Sequence, residues 1–236
     1  MTLLAHDANG VVALNKPAGV LSHPNEDGDE SRSVLNARYE IENEVFEWSA
    51  DGGTRGRLWL LNRLDSATSG VILAAADGGV AAEIRAQFKR KNVRKIYHAL
   101  VFGAPRLRTE RWKDVLAVDK RGGKIRTAAN AGHIPAESTM TVVRAGKEEP
   151  QVTLLRLEPH TGRSHQLRVQ CAKRGLPIVG DQTYGDFQRN RAFAKRTGAK
   201  RLFLHSTETG FEYRWQSKTR VFAAEAPLPV EFEEYL

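Results

Sequence analysis

At 236 residues, with 41% hydrophobic and 27% charged side chains, the chain is sized for one large domain or two small lobes around a substantial core. Its single cysteine, Cys171, excludes an intrachain disulfide and leaves any thiolate zinc site short of ligands, and no apolar run reaches the roughly 18–20 residues that a bilayer-spanning helix needs. The net charge of +8 is spread unevenly, with −7 on residues 1–84, +11 on residues 85–126 and +4 on residues 127–236.

The first seven residues show neither a basic stretch nor a long apolar run, so no secretory signal is expected and the cytoplasm is the expected compartment. Residues 11–15 (Val-Val-Ala-Leu-Asn) read as a strand entering a Lys16-Pro17-Ala18-Gly19 turn, because Pro and Gly punctuate strongly. Residues 25–33 are polar and acidic and read as a loop. The apolar runs 58–61 and 71–76 flank a polar turn, a strand–turn–strand pattern. Val80, Ile84 and Phe88 recur four apart, which predicts an amphipathic helix over 79–91.

Residues 97–102, 139–143, 152–157, 201–205, 210–215 and 220–223 are predicted strands by β-propensity and partial alternation. A second helix is predicted over 164–174, with Ser164 as N-cap and Gly175 just past its end. Residues 175–185 read as a Gly/Pro-punctuated loop in which Asp181 organises a turn. Many strands, few helices and no regular β-α alternation predict an α+β fold and argue against a doubly wound one. No repeat, low-complexity tract or interdomain linker is visible.

The chemistry concentrates in a few places. Asp65 sits in Leu61-Asn62-Arg63-Leu64-Asp65-Ser66-Ala67-Thr68-Ser69-Gly70, a turn between two apolar runs that would present one carboxylate at a surface; the plainer reading is an ordinary polar turn. Tyr97 opens a strand just after basic residues, where it could stack on a base or serve as a half-buried strand tyrosine. The basic stretch 85–126 interleaves Phe88, Tyr97, Phe102 and Trp112 with its cations, a pattern suited to a phosphate backbone; a solvated basic surface is its alternative. His160 and His165 are five apart, a poor fit to one helical face, and no nearby Cys or carboxylate completes a metal site. A Ser164–His165–Asp65 triad lacks a nucleophile elbow to support it.

Four segments in this order resemble the RluA-like family of pseudouridine synthases across nearly the whole chain. Residues 12–20 (Val-Ala-Leu-Asn-Lys-Pro-Ala-Gly-Val) resemble the family's opening strand and turn. Residues 63–70 (Arg-Leu-Asp-Ser-Ala-Thr-Ser-Gly) resemble its aspartate motif, and 95–99 (Lys-Ile-Tyr-His-Ala) its tyrosine motif. Residues 162–168 (Gly-Arg-Ser-His-Gln-Leu-Arg), with 177–181 and Tyr184-Gly185, resemble the remaining pair. Two positions depart from the family pattern: Asn62 stands where His commonly precedes Arg-Leu-Asp, and Gln170 where His commonly follows Leu-Arg-Val.

The resemblance implies a single catalytic domain over residues 1–236, with no separate N-terminal RNA-binding module. Its fold would be a central, mostly antiparallel sheet in two lobes, with flanking helices and a cleft. The implied activity is isomerisation of uridine to pseudouridine in a structured rRNA or tRNA, by a monomer using no cofactor or metal. Asp65 would be the nucleophile, open to attack on ribose C1′, to a glycal route or to addition at uracil C6. Tyr97 would stack on the uracil, and Arg168 would hold Asp65 ionised. Arg63, Lys95, Arg163 and His165 would bind the RNA. Two other readings are a non-catalytic RNA-binding protein on the same scaffold and a carboxylate-based glycosidase or nucleosidase; the second would need a second acid.

Overall fold

A computed structural model describes residues 1–49, 55–121, 124–129, 132–147 and 149–236. Along the chain these form β1 (Thr2–His6), β2 (Val11–Lys16), β3 (Arg38–Glu40), β4 (Val45–Ser49), β5 (Arg55–Leu60), β6 (Ser69–Ala75), α1 (Gly78–Arg90), β7 (Arg94–Phe102), β8 (Thr109–Arg121), β9 (Lys124–Ala129), β10 (Ile134–Ala145), β11 (Val152–Pro159), α2 (Gln166–Lys173), α3 (Phe187–Thr197), β12 (Leu204–Trp215) and β13 (Lys218–Glu225). The chain divides into two compact units, one of Met1–Arg94 with Ser206–Pro227 and one of Lys95–His205 with Leu228–Leu236. Strands outnumber helices and do not alternate with them, which makes the fold α+β. No helix among the described residues is long and apolar enough to cross a membrane.

The first unit is organised around β6. Its residues Ser-Gly-Val-Ile-Leu-Ala-Ala are all buried, so the strand reads as a continuous apolar run instead of alternating. β2 pairs antiparallel along its length, from Val11 opposite Ala75 to Lys16 opposite Gly70. β1 extends this side, and β5, β4 and β3 follow one another as antiparallel neighbours on the other. The α1 helix starts where Asp77 Oδ1 accepts the backbone N–H groups of Gly79 and Val80, at 2.8 and 2.9 Å. Its Val80 and Ile84 are fully buried against Val11, Val71, Leu73 and Phe211. Each such side chain stabilises the fold by about 1.5–3 kcal/mol. Lys91 in left-handed conformation (φ 64°) then ends the helix.

The strands of the second unit pair antiparallel in the order β7-β11-β10-β8-β9. Trp112, Leu116, Ala136 and Met140 are fully buried in this unit, and Leu116 and Ala136 cluster with Val169 of α2. A separate aromatic cluster of Phe193, Phe203, Phe232 and Tyr235 ties α3 to the C-terminal residues. The α2 helix closes with a Schellman motif in which Gly175 N–H reaches Ala172 O and Leu176 N–H reaches Cys171 O, both at 3.0 Å. Gly175 takes the left-handed position (φ +68°) that this motif demands.

Three local expectations change. The second helix begins at Gln166, and its N-cap is His165 in left-handed backbone (φ 55°), not Ser164. The side chain of Gln166 closes the preceding loop instead, its Oε1 accepting from Thr161 Oγ1 at 2.7 Å and Arg163 N at 3.2 Å. The strands expected over 201–205 and 210–215 are one strand, β12, starting at Leu204; Ser206 and Thr209 between them are buried, so a polar stretch that reads as a loop is sheet interior. The sequence reading also passed over β1, β3, β4, β8, β9 and α3, although Asp186 caps α3 and Gly198 (φ +78°) ends it.

Gly70 is a close-packed point of the first unit. Its φ is +108°, and a Cβ there would lie 2.1 Å from the carbonyl oxygen of Ser206. Gly19, at φ +90°, has nothing within 4 Å of the same position. Gly19→Ala should therefore cost only the left-handed strain of about 1–2 kcal/mol. Gly70→Ala should add an overlap of roughly 1–3 kcal/mol, which lowers the thermal midpoint by several further degrees. Equal melting temperatures for the two variants would refute the close approach.

Candidate active site

Asp65 and Arg63 belong to the first unit, whereas Lys95, Tyr97, Arg163, His165 and Arg168 belong to the second. In the first unit the backbone around Asp65 is held from beneath. Ser22 Oγ accepts from Leu64 N at 3.0 Å and donates to Leu64 O at 2.7 Å, so one hydroxyl binds both polar groups of the residue before the carboxylate. Thr68 N–H closes the turn onto Asp65 O at 3.0 Å, and Gly19 N–H reaches Ser66 O at 2.8 Å. Asn62 Oδ1 accepts from Leu73 N at 2.7 Å, which fastens the approach to the turn onto β6.

Lys16 completes this support. It is fully buried, yet its ammonium donates to Pro17 O, Val20 O and Ser66 O at 3.0, 2.6 and 3.0 Å. An ammonium has three donors, and three carbonyls take them, which is how a buried charge is made tolerable. The Lys16-Pro17-Ala18-Gly19 turn is thereby bound to the residue after Asp65, with a fixed positive charge beneath it. Sequence reading saw only the turn; a lysine ending an apolar strand immediately before Pro was the available signal. Asp65 itself is half-exposed. Arg63 projects outward, its side chain 59% exposed and 3.7 Å from Glu44, a pair worth little in water.

In the second unit Tyr97 lies half-buried on β7 opposite Leu157, two residues after Lys95. Burial pushes the pKa of Lys95 down, and its ammonium lies against the Gly162 backbone, 3.8 Å from where a Cβ would be. One position beyond Tyr97, His98 is opposite Arg156; burial first, and the arginine second, push its pKa down. Arg163 is exposed, with Nε 3.4 Å from Pro135 O.

Arg168 is the best-defined charge of the site. Its guanidinium forks onto Asp181, Nε to Oδ2 at 2.8 Å and Nη2 to Oδ1 at 2.7 Å, with both side chains buried. Asp181 Oδ1 also accepts Thr183 N and Tyr184 N at 2.8 and 3.0 Å. Burial alone would raise the pKa of Asp181, but the guanidinium and the two backbone N–H groups outweigh it and hold the carboxyl below its usual range. Asp181 is thus both turn organiser and partner of Arg168, a pairing the sequence did not suggest.

The Tyr184 ring lies 5.1 Å from Arg168 Cζ. Thr127 N–H donates to the phenol oxygen at 2.8 Å, and His165 Nδ1 is hydrogen-bonded to the same oxygen, also at 2.8 Å. His165 is therefore seated by Tyr184, while His160 Nε2 bonds Thr139 Oγ1 at 2.8 Å elsewhere. No group of three potential metal-binding side chains occurs among the described residues.

The two departures from the family pattern serve the scaffold. Asn62 acts as described above. Gln170 is fully buried, with Oε1 accepting from Ser138 Oγ at 2.8 Å and Nε2 donating to Asp114 Oδ2 at 2.9 Å. Burial opposes ionisation of Asp114, but hydrogen bonds from Lys173, Gln170 and Arg174 hold its pKa down. Cys171, on the same helix, is buried, and its thiol is pushed up to about 12, which leaves it inert.

Residues 10–173 match the model of a family described as RNA pseudouridylate synthase. The chain belongs to that family. The chain is 32% identical over 224 residues to tRNA pseudouridine synthase C of Vibrio cholerae, covering 91% of this chain and 86% of the relative. It is 34% identical over 206 residues to the protein of the same name in Yersinia pestis, covering 84% and 76%. Ribosomal large subunit pseudouridine synthase C of Vibrio vulnificus matches at 35% over 156 residues, covering 66% of this chain and 48% of that one. The solved structure of human RNA pseudouridylate synthase domain containing 1 superposes with a TM-score of 0.72 at 20% identity, over 98% of this chain and 85% of that one; this shows the shared fold. The chain is a pseudouridine synthase, an enzyme that isomerises uridine in RNA.

The synthase's Arg168–Asp181 fork makes a stability prediction. Removing one partner of a buried pair costs about 3–5 kcal/mol, so Asp181→Asn should lower the unfolding free energy by that order at pH 7. Because the folded pKa of Asp181 is depressed, its contribution is complete above the unfolded value of about 3.9 and is lost as pH falls through the folded value. The gap between the parent and Asp181→Asn should therefore hold from pH 7 to about 4 and narrow only below it. Denaturant titrations across that range would show this, and a gap that closes nearer neutrality would contradict it.

Proposed function

We propose that this synthase converts a uridine of transfer RNA to pseudouridine, with Asp65 as nucleophile and without cofactor or metal. Transfer RNA is preferred to ribosomal RNA because the relatives named for it align over most of their own length, whereas the ribosomal relative is matched over 48% of its length. The observation that supports the role of Asp65 is its setting: a half-exposed carboxylate on a turn whose backbone is held by Lys16 and Ser22. A rigidly presented group loses little entropy on reaching its reactive geometry.

The reaction breaks the bond from ribose C1′ to uracil N1 and forms one from C1′ to C5. The C5 proton leaves and N1 is protonated, so atoms balance without a co-reactant. Asp65 opens the sequence as an ionised carboxylate, at C1′, through a glycal or at C6. Tyr97 stacks on the uracil while the base turns, and its hydroxyl helps remove the C5 proton. Arg168, already oriented by Asp181, supplies positive charge to the reacting carboxylate. Arg63, Lys95, Arg163 and His165 hold RNA around the target, and Arg63 replaces the extruded base or holds a neighbouring phosphate. The enzyme acts in the cytoplasm as a monomer, and residues 1–236 work as one catalytic domain.

Asp65→Asn should lower pseudouridine formation by at least about 10⁴-fold, the order that follows loss of a nucleophile, while RNA affinity stays within a few-fold. Mass spectrometry of tRNA from cells lacking the gene, complemented with either form, would report it. Turnover by the variant at the parent rate would remove Asp65 from the role. Tyr97→Phe keeps the ring and loses the hydroxyl; a fall in kcat of about 10²-fold or more assigns proton transfer to it, and an unchanged kcat restricts Tyr97 to stacking.

A further inference from the structure

The α3 helix carries a charge pattern that the reaction does not use. From Phe187 to Arg201 the sequence holds six Lys or Arg residues and no acidic one. Three of the six are engaged within the protein: Arg189 with Asp186 at 3.5 Å, Arg196 with the Glu149 carbonyl, and Arg201 with Glu231 at 2.6 Å. Arg191, Lys195 and Lys200 are exposed and make no hydrogen bond or ion pair among the described residues. Arg191 and Lys195 are four residues apart on one helical face, a rise of about 6 Å, with exposed Gln188 and Ala192 beside them. Phe187, four residues before Arg191, is 52% exposed and adds an aromatic ring to the same face.

The opposite face of α3 is tied to the active-site helix. Asn190 Oδ1 accepts from Gly180 N at 2.8 Å, and its Nδ2 donates to Asp181 O at 3.0 Å. Asp181 in turn holds Arg168 on α2. Anything bound along the outer face of α3 is therefore registered against Arg168 through two buried links. Phe187 is a single exposed ring at one end of the face, and Phe193 is buried in the aromatic cluster of the second unit, so the helix offers lipid a narrow apolar edge. Long cations beside an exposed ring match a nucleic-acid strand instead.

We propose that Arg191, Lys195 and Lys200 form a second RNA-backbone contact, which grips phosphates of the bound RNA along the outer face of α3. Phe187 offers an unpaired base a stacking surface at its end. The contact positions RNA without reading its sequence. It rests on the RNA substrate proposed above, and it assigns α3 to binding alone.

The test is a triple variant, Arg191→Gln, Lys195→Gln and Lys200→Gln, in the full chain, with bulk tRNA from cells lacking the gene as the probe. All three side chains are exposed, so its thermal midpoint should equal the parent's. Affinity for tRNA should fall about tenfold or more, and the slope of log K against log salt should flatten by about 2–3, one phosphate contact per charge. KM for pseudouridine formation should rise with kcat unchanged. A parent that makes pseudouridine, with a variant of equal KM and salt slope, would overturn the contact and leave the activity standing. A parent that makes none, while the variant still binds tRNA more weakly, would overturn the activity and keep the contact. Loss of binding to phosphatidylserine vesicles with tRNA binding intact would show a membrane surface and refute the proposal.

Discussion

The buried ion pair of Arg168 and Asp181 is the constraint on which the second unit's site depends. A guanidinium and a carboxylate leave water at high cost, and the cost is recovered only when nearly every donor and acceptor is satisfied. Here the fork uses two guanidinium N–H groups, while backbone N–H groups of Thr183 and Tyr184 take up the same carboxylate. One pair thereby fixes a helix, the loop after it and the tyrosine that seats His165. Asn190 passes the same constraint to α3.

The first unit solves a similar problem with a different charge. Lys16 is buried, and its ammonium donates to the carbonyls of Pro17, Val20 and Ser66. The Ser66 carbonyl brings this positive charge to the turn that carries the Asp65 carboxylate. Ser22 adds hydrogen bonds to the backbone just before that carboxylate. In both units the groups expected to do chemistry stand on backbone that buried polar contacts have already fixed, which is what a preorganised site requires.

At the two departures from the family pattern, Asn62 and Gln170, the structure shows what the changed side chains bind. Each amide is absorbed into local hydrogen bonding, Asn62 onto β6 and Gln170 into the network of Asp114, Ser138 and Ala136. A buried amide that is fully bonded is a stable alternative to another polar side chain at the same place. Neither position needs to meet the substrate for the substitution to make physical sense.

The aspartate turn, the tyrosine strand and the α1 helix were legible in the chain because local order specifies them: apolar spacing of four, and Pro and Gly at turns. So was the reaction, because four motifs in one order carry it. What the sequence hid depends on contacts distant along the chain. The partner of Arg168 lies 13 residues away in a loop and is chosen by burial. The three carbonyls that hold Lys16 include one 50 residues away. Ser206 and Thr209 look like loop residues until the sheet buries them. Local propensity and motif order settled what this protein does. Only the tertiary structure decided which charges are buried, what satisfies them and which stay exposed, because desolvation is a property of the packed chain and leaves no mark on the order of its residues.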